Sequence, residues 1–79
     1  MPTVLREAGF EVRIYTFDHP PPHVHVAKAG AIVKIHLATS EIVEIVGAIS
    51  DRDAKRAELL VAKHSQPLKE AWRKLHGER

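Results

Sequence analysis

The sequence predicts an α+β fold, in which a small, mostly antiparallel sheet of three or four strands is packed by a C-terminal helix or kinked helix pair. Two observations predict this fold. Apolar and polar residues alternate in several segments of residues 1–47, which is the two-residue period of strands. Residues 50–76 instead repeat apolar residues every three or four positions, as an amphipathic helix does. We therefore expect residues 1–79 to form one domain with a strand-rich half and a helical half.

The clearest candidate strand covers residues 10–17 and follows a shorter candidate at residues 2–5. Phe10, Val12 and Ile14 are spaced two apart, so their side chains leave the same face of a strand. That face is expected to turn toward the helical half.

Three consecutive prolines, residues 20–22, must end this strand because proline has no backbone N–H to donate to a ladder. Residues 23–27 and 32–37 then alternate again, and a turn at Gly30 would join them into a hairpin. Residues 41–46 are compatible with a strand, by their β-branched content, and with a short helix, by the spacing of their isoleucines. Both interpretations stay open.

The helical half carries clear boundary signals. Ser50 is a typical N-cap residue, and Asp53 stands where the acid of a capping box would be. Pro67 interrupts the hydrogen-bond ladder without changing the phase of the apolar stripe, which predicts two segments or a kink near residues 63–66. Gly77 is a stop signal. The stripe comprises Ala57, Leu60, Val61, His64, Leu68, Ala71, Trp72 and Leu75.

Composition excludes several classes of protein. The chain has no cysteine, which excludes disulfides, a thiolate zinc site and a cysteine nucleophile. Its net charge of +2 does not by itself imply binding to nucleic acid. No apolar run approaches the roughly 20 residues of a membrane span, and residues 1–10 lack the apolar core of a signal peptide. We therefore expect a cytoplasmic protein that does not contact a membrane.

Six histidines in 79 residues are the sharpest clue to function. His23 and His25 are two apart on a predicted strand, so they share a face with Cα atoms about 6.6–6.8 Å apart. Two imidazoles at that spacing can bind one divalent transition metal such as zinc. His19 is the expected third nitrogen ligand, provided that the prolines turn the chain back. Asp18 could add a carboxylate or orient a histidine, and His36 could join from the neighbouring strand.

The same histidines also suit catalysis without a metal. An imidazole with an ordinary pKa of about 6.5 can act as general acid or base, and His23 and His25 are the candidates for these roles. Arg13 and Lys34 could stabilise negative charge on a phosphate, with His36 as a further contact. Histidine together with Arg or Lys is the usual set of side chains for cleaving RNA without a metal. A third interpretation is structural, with the histidines only bracing the proline bend. All three stay open.

The residues also resemble a known family. The opening Met1–Glu7 and the segment Asp18–Val26 are similar to the bacterial family called domain of unknown function 4160. That family shows a Pro-Thr-Val-Leu-Arg opening and a His-x-Pro-Pro-His-Val-His-Val motif. Pro20 occupies the variable position, and Asp18 stands where the family often has Glu.

The resemblance implies a small stand-alone bacterial protein, often encoded beside a protein of another family, domain of unknown function 2442, as in a toxin–antitoxin pair. It implies His19, His23 and His25 as the functional positions and a small cognate protein as the partner. We therefore expect a toxin–antitoxin-like interaction module acting on RNA; a histidine-based metal-binding protein and a non-catalytic structural or regulatory protein are the alternatives. Whether it is an enzyme stays open. A second copy of the chain could pair along strand 32–37.

Overall fold

The computed structural model describes residues 3–77, which form a five-stranded antiparallel sheet followed by two helices. The strands lie side by side in chain order, and every neighbouring pair is antiparallel. The α+β prediction is therefore confirmed, whereas three or four strands was too few, because residues 42–46 form a fifth strand. The elements are β1 (Thr3–Glu7), β2 (Phe10–Arg13), β3 (His23–Lys28), β4 (Ala31–His36), β5 (Ile42–Val46), α1 (Asp51–Lys63) and α2 (Ser65–His76).

The core lies between one face of the sheet and the two helices. The alternation of residues along each strand decides which side chains enter the core. In β2, Phe10 and Val12 are buried, whereas Glu11 and Arg13, which point to the other face, are only partly buried. Burial of this apolar surface is the main stabilising contribution for a chain of this size. The core comprises Phe10, Val12, Ile14, Val24, Val26, Val33, Ile35, Leu37, Ala57, Leu60, Val61, Leu68 and Trp72.

Two details of the sheet differ from the sequence-based expectations. The strand predicted over residues 10–17 ends at Arg13, because Tyr15 and Asp18 bond to each other across a turn. The strand β4 has a neighbour on each side, so residues 32–37 offer no free edge to a second copy. The edges of the sheet are β1 and β5 instead.

The helices begin and break where the sequence indicates. The Ser50 Oγ accepts a hydrogen bond from the Asp53 N–H at 3.1 Å, which confirms the N-cap. Helix α1 ends at Lys63, and Pro67 is the third residue of α2. A proline is tolerated there because N–H groups in the first turn have no intrahelical acceptor. Within residues 3–77, neither helix is long and apolar enough to cross a membrane.

A pair of contacts joins β1 to the junction between the helices. The Glu7 carboxylate accepts hydrogen bonds from Lys63 Nζ at 3.1 Å and from His64 Nε2 at 2.9 Å. These bonds lower the pKa of Glu7 from its ordinary value, and the bond from Lys63 has the larger effect. A carboxyl group with a lowered folded-state pKa stabilises the fold above its unfolded-state pKa, and this contribution is lost as the pH falls through the folded-state pKa.

We therefore expect the Tm of Glu7→Gln to fall less steeply than that of the parent between about pH 5 and pH 3, where a carboxyl group titrates. Thermal unfolding followed by circular dichroism measures this slope. Glu70→Gln is the matched control, since Glu70 is exposed and forms no ion pair with the described residues. The same slope in the parent and in Glu7→Gln would contradict the assignment.

Candidate metal centre

The loop between β2 and β3 positions a carboxylate at the end of the sheet. Asp18 Oδ2 accepts a hydrogen bond from the Tyr15 N–H at 3.0 Å, and the Asp18 N–H donates to the Tyr15 carbonyl at 3.1 Å. Asn and Asp often close turns in this way. The Pro20–Pro21 peptide bond is cis, and the Leu37 N–H donates to the Pro22 carbonyl at 3.0 Å. The loop is thus closed on itself between Tyr15 and Asp18 and is bonded at Pro22 to the residue that follows β4.

Three side chains converge at this point. Nε2 of His23 and Nε2 of His25 each lie 3.5 Å from the same atom, Asp18 Oδ2. One candidate ligand atom from each of the three residues can be chosen so that all lie within 4.8 Å of one another. Among residues 3–77, these three residues are the one group of His, Asp or Glu side chains close enough together to hold a metal ion. We refer to Asp18, His23 and His25 as the triad.

The backbone fixes which nitrogen of His23 faces Asp18. The Nδ1 of His23 lies 3.0 Å from the Pro21 carbonyl oxygen. A carbonyl can only accept, so Nδ1 carries the proton and donates, and a neutral ring then has its lone pair on Nε2. Metal-binding histidines are oriented in this manner by a second hydrogen bond. His23 is 5% exposed, so its orientation is also fixed by packing.

His25 is held as a neutral base. Burial lowers the pKa of His25, and the nearby Asp18 carboxylate opposes the shift without reversing it. Its Nε2 is buried and has no hydrogen-bond partner among the described residues. Buried polar atoms are nearly always paired, so this nitrogen, 3.5 Å from the Asp18 carboxylate, is a candidate to bind a ligand that the chain itself does not supply.

Aromatic rings enclose the triad. The Tyr15 ring meets the His25 ring edge-on at 5.0 Å, and the Trp72 ring lies 5.3 Å from that of His23. Trp72 in turn stacks on His76 at 3.9 Å. The Nε2 of His76 lies 3.0 Å from the Tyr15 carbonyl oxygen, which ties the end of α2 to the loop. These contacts restrict the movement of both imidazoles.

The other residues predicted for the site have different surroundings. His19 and His36 lie outside the triad, and the carboxylate of Asp18 stands where the sequence analysis first expected the nitrogen of His19. His36 is opposite His23 in the register of β3 and β4, but it is not one of the converging groups. The geometry favours Asp18 over His19 as the third ligand beside His23 and His25. Metal binding by His19, His23 and His25 stays a prediction.

The two predicted cations flank His25. Arg13 on β2 and Lys34 on β4 are its partners in register on either side. Arg13 is engaged, because its Nε donates to Glu11 at 2.6 Å and its Nη1 lies 3.4 Å from the Tyr15 hydroxyl. Lys34 forms no ion pair with residues 3–77. Lys34 thus places positive charge next to His25, whereas the charge of Arg13 is paired with Glu11.

Comparison with models of known families identifies the family of this chain. A family model described as Domain of unknown function (DUF4160) matches residues 9–73, which include the whole triad. The chain belongs to the DUF4160 family. The resemblance that the histidine motif indicated is therefore confirmed. No curated protein and no solved structure gave a significant match. The description of the family states no function, so the chemistry of this DUF4160 member has to follow from the residues of the triad.

Proposed function

We propose that this protein binds one divalent transition metal through Asp18 Oδ2, His23 Nε2 and His25 Nε2. The observation that carries the proposal is the convergence of both imidazole nitrogens on one carboxylate oxygen, each at 3.5 Å. Charge-assisted N–H···O hydrogen bonds are about 2.7–2.9 Å long, so 3.5 Å is too long for a good one. Nitrogen and oxygen ligands on one zinc lie at bonds of about 2.0–2.2 Å, and the edges of such a tetrahedron are about 3.3–3.6 Å.

The type of ligand supports zinc or a related ion. Two neutral imidazoles and one carboxylate suit zinc, iron, nickel or copper better than magnesium or calcium, which prefer oxygen ligands. The lowered pKa of His25 supports binding, because a metal must otherwise displace a proton. A set of three protein ligands leaves a fourth position for water or a substrate, as in catalytic zinc sites.

A cavity next to Asp18 supports access to that fourth position. It has a volume of about 300 Å³ and lies between the β2–β3 loop and the end of α2, with Asp18, His19 and His76 in its lining. Small molecules bind in cavities of this order. The triad therefore borders a cavity of suitable size on the side of Asp18, while His23 and His25 do not line it.

Competition with a chromophoric chelator tests the proposal. We expect tag-free parent protein to take up one zinc ion per chain. Asp18→Asn should weaken binding by at least tenfold, because even the loss of a residue that only orients a ligand costs about 10–100-fold in affinity. His19→Ala is the matched control from the same loop and should bind like the parent. Parent protein that takes up no zinc, or Asp18→Asn that binds as tightly as His19→Ala, would contradict the proposed site.

The second candidate function is a toxin–antitoxin-like module that acts on RNA with a small cognate protein as its partner. The observation that favours it is the position of Arg13 and Lys34 beside His25. A neutral His25 can accept a proton, and Lys34 can stabilise charge on a phosphate, joined by Arg13 where a phosphate displaces Glu11 from it. This chemistry needs no metal.

Growth of bacteria that express the chain alone separates this candidate from the first. A histidine-dependent toxin should arrest growth, and the His23→Ala/His25→Ala variant should not, at equal protein levels. His19→Ala/His36→Ala removes the same number of histidines and serves as the control. Normal growth with the parent protein would argue against the toxin, and arrest by all three proteins would exclude a role for His23 and His25 in it.

A further inference from the structure

A second cavity lies beside Trp72, between α2 and the residues that precede β3 and follow β4. Its volume is about 490 Å³, and its lining includes Pro22, Leu37, Ala38, Lys69, Trp72 and Arg73. Sites for small organic molecules have volumes of about 300–1,000 Å³. The cavity is therefore large enough for a metabolite, and it does not include any member of the triad.

The charge at this cavity is positive. Lys69 and Arg73 are four residues apart on α2, so both side chains reach the same side of the helix. Neither forms an ion pair with the part of the chain from 3 to 77, and no acidic side chain lines the cavity. Two cations that no side chain of residues 3–77 neutralises, placed around one concave surface, favour an anion.

Trp72 contributes its aromatic ring to the lining of this cavity. The residue is 3% exposed, so the cavity reaches only a small part of the ring. Its Nε1–H is shielded from solvent and has no acceptor among the described residues. A ligand in the cavity would therefore meet the apolar part of the ring and not this N–H.

The rest of the lining restricts the ligand further. Pro22, Leu37 and Ala38 present apolar groups, and the aromatic ring of Trp72 adds to them. An inorganic anion would leave this apolar surface uncovered, whereas a neutral apolar molecule would leave the two cations without a partner. We propose that the cavity binds an organic carboxylate with an apolar chain. This proposal does not depend on metal binding at the triad.

The single tryptophan makes the test direct, because it lines this cavity and is the one tryptophan of the sequence. Three probes separate the two parts of the recognition: octanoate has charge and chain, octanol has only the chain, and inorganic phosphate has only charge. At constant ionic strength, we expect a saturable change in Trp72 emission with octanoate and at least tenfold weaker binding of the other two. Octanol or phosphate binding as tightly as octanoate, or no response to octanoate, would overturn the proposal.

Charge-removing variants test the role of the two cations. Lys69→Gln/Arg73→Gln should weaken octanoate binding at least tenfold. Arg52→Gln/Lys74→Gln removes the same charge from exposed helix positions that do not line the cavity and should bind octanoate within twofold of the parent. Circular dichroism establishes that both variants are folded. Equal affinity in the two double variants would overturn the assignment of Lys69 and Arg73.

Discussion

Replacement of Trp72 by alanine is expected to lower the free energy of unfolding by about 3–5 kcal/mol, the usual cost of truncating a large buried aromatic residue. Trp72 is 3% exposed and belongs to the core between sheet and helices. It also lies between the rings of His23 and His76. Its loss would leave a void and free both imidazoles. Urea unfolding followed by circular dichroism measures the change, since the variant has no tryptophan to observe.

Phe17→Ala is the matched control, because Phe17 is also aromatic but 89% exposed. Exposed positions of this kind usually change stability by no more than about 0.5 kcal/mol. A domain of this size loses about 4–8 °C in Tm per kcal/mol, so the two variants are expected to differ clearly in a thermal scan as well. A Trp72→Ala protein that unfolds at the same urea concentration as the parent would refute the packing described above.

Zinc is expected to stabilise the parent protein and to leave His23→Ala/His25→Ala unchanged. A ligand that binds only the folded state adds about 2.7 kcal/mol when its free concentration is 100 times the Kd. The double variant retains one of the three proposed ligands, Asp18, and a single carboxylate binds zinc too weakly to contribute. Thermal unfolding of each protein with and without zinc measures this difference, so a variant's own baseline stability cancels.

His19→Ala/His36→Ala is the control for this prediction. It removes two histidines from the same region, and neither is a member of the triad. It should retain the full stabilisation by zinc. Equal stabilisation of the two double variants would mean that zinc binds elsewhere, and would contradict the site.

The regular parts of the fold could be predicted because they depend on local patterns. The alternation of Phe10, Val12 and Ile14 places all three in the core, and Ser50 caps α1 as its side chain allows. The fifth strand could not be decided from residues 41–46, whose β-branched side chains suit a strand and whose isoleucine spacing suits a helix. Pairing with β4 settles it, and pairing is a tertiary contact that no local pattern contains.

The candidate site was predictable only in part, for a similar reason. The i, i+2 spacing of His23 and His25 requires that they leave one face of a strand, and their rings indeed lie 5.1 Å apart. The choice of Asp18 over His19 depends on the path of the loop, where Asp18 bonds to the Tyr15 backbone. The burial of His23 depends on Trp72, which lies 49 positions later in the chain. Long-range contacts of this type leave no periodic signal in a sequence.

Anomalous diffraction at the zinc edge, from crystals grown with one equivalent of zinc, locates the metal that the triad is proposed to bind. We expect one strong peak per chain, about 2.0–2.2 Å from Asp18 Oδ2, His23 Nε2 and His25 Nε2. A peak bound by other side chains would contradict the proposed site. Crystals grown with zinc that show no peak between these three atoms would contradict it as well.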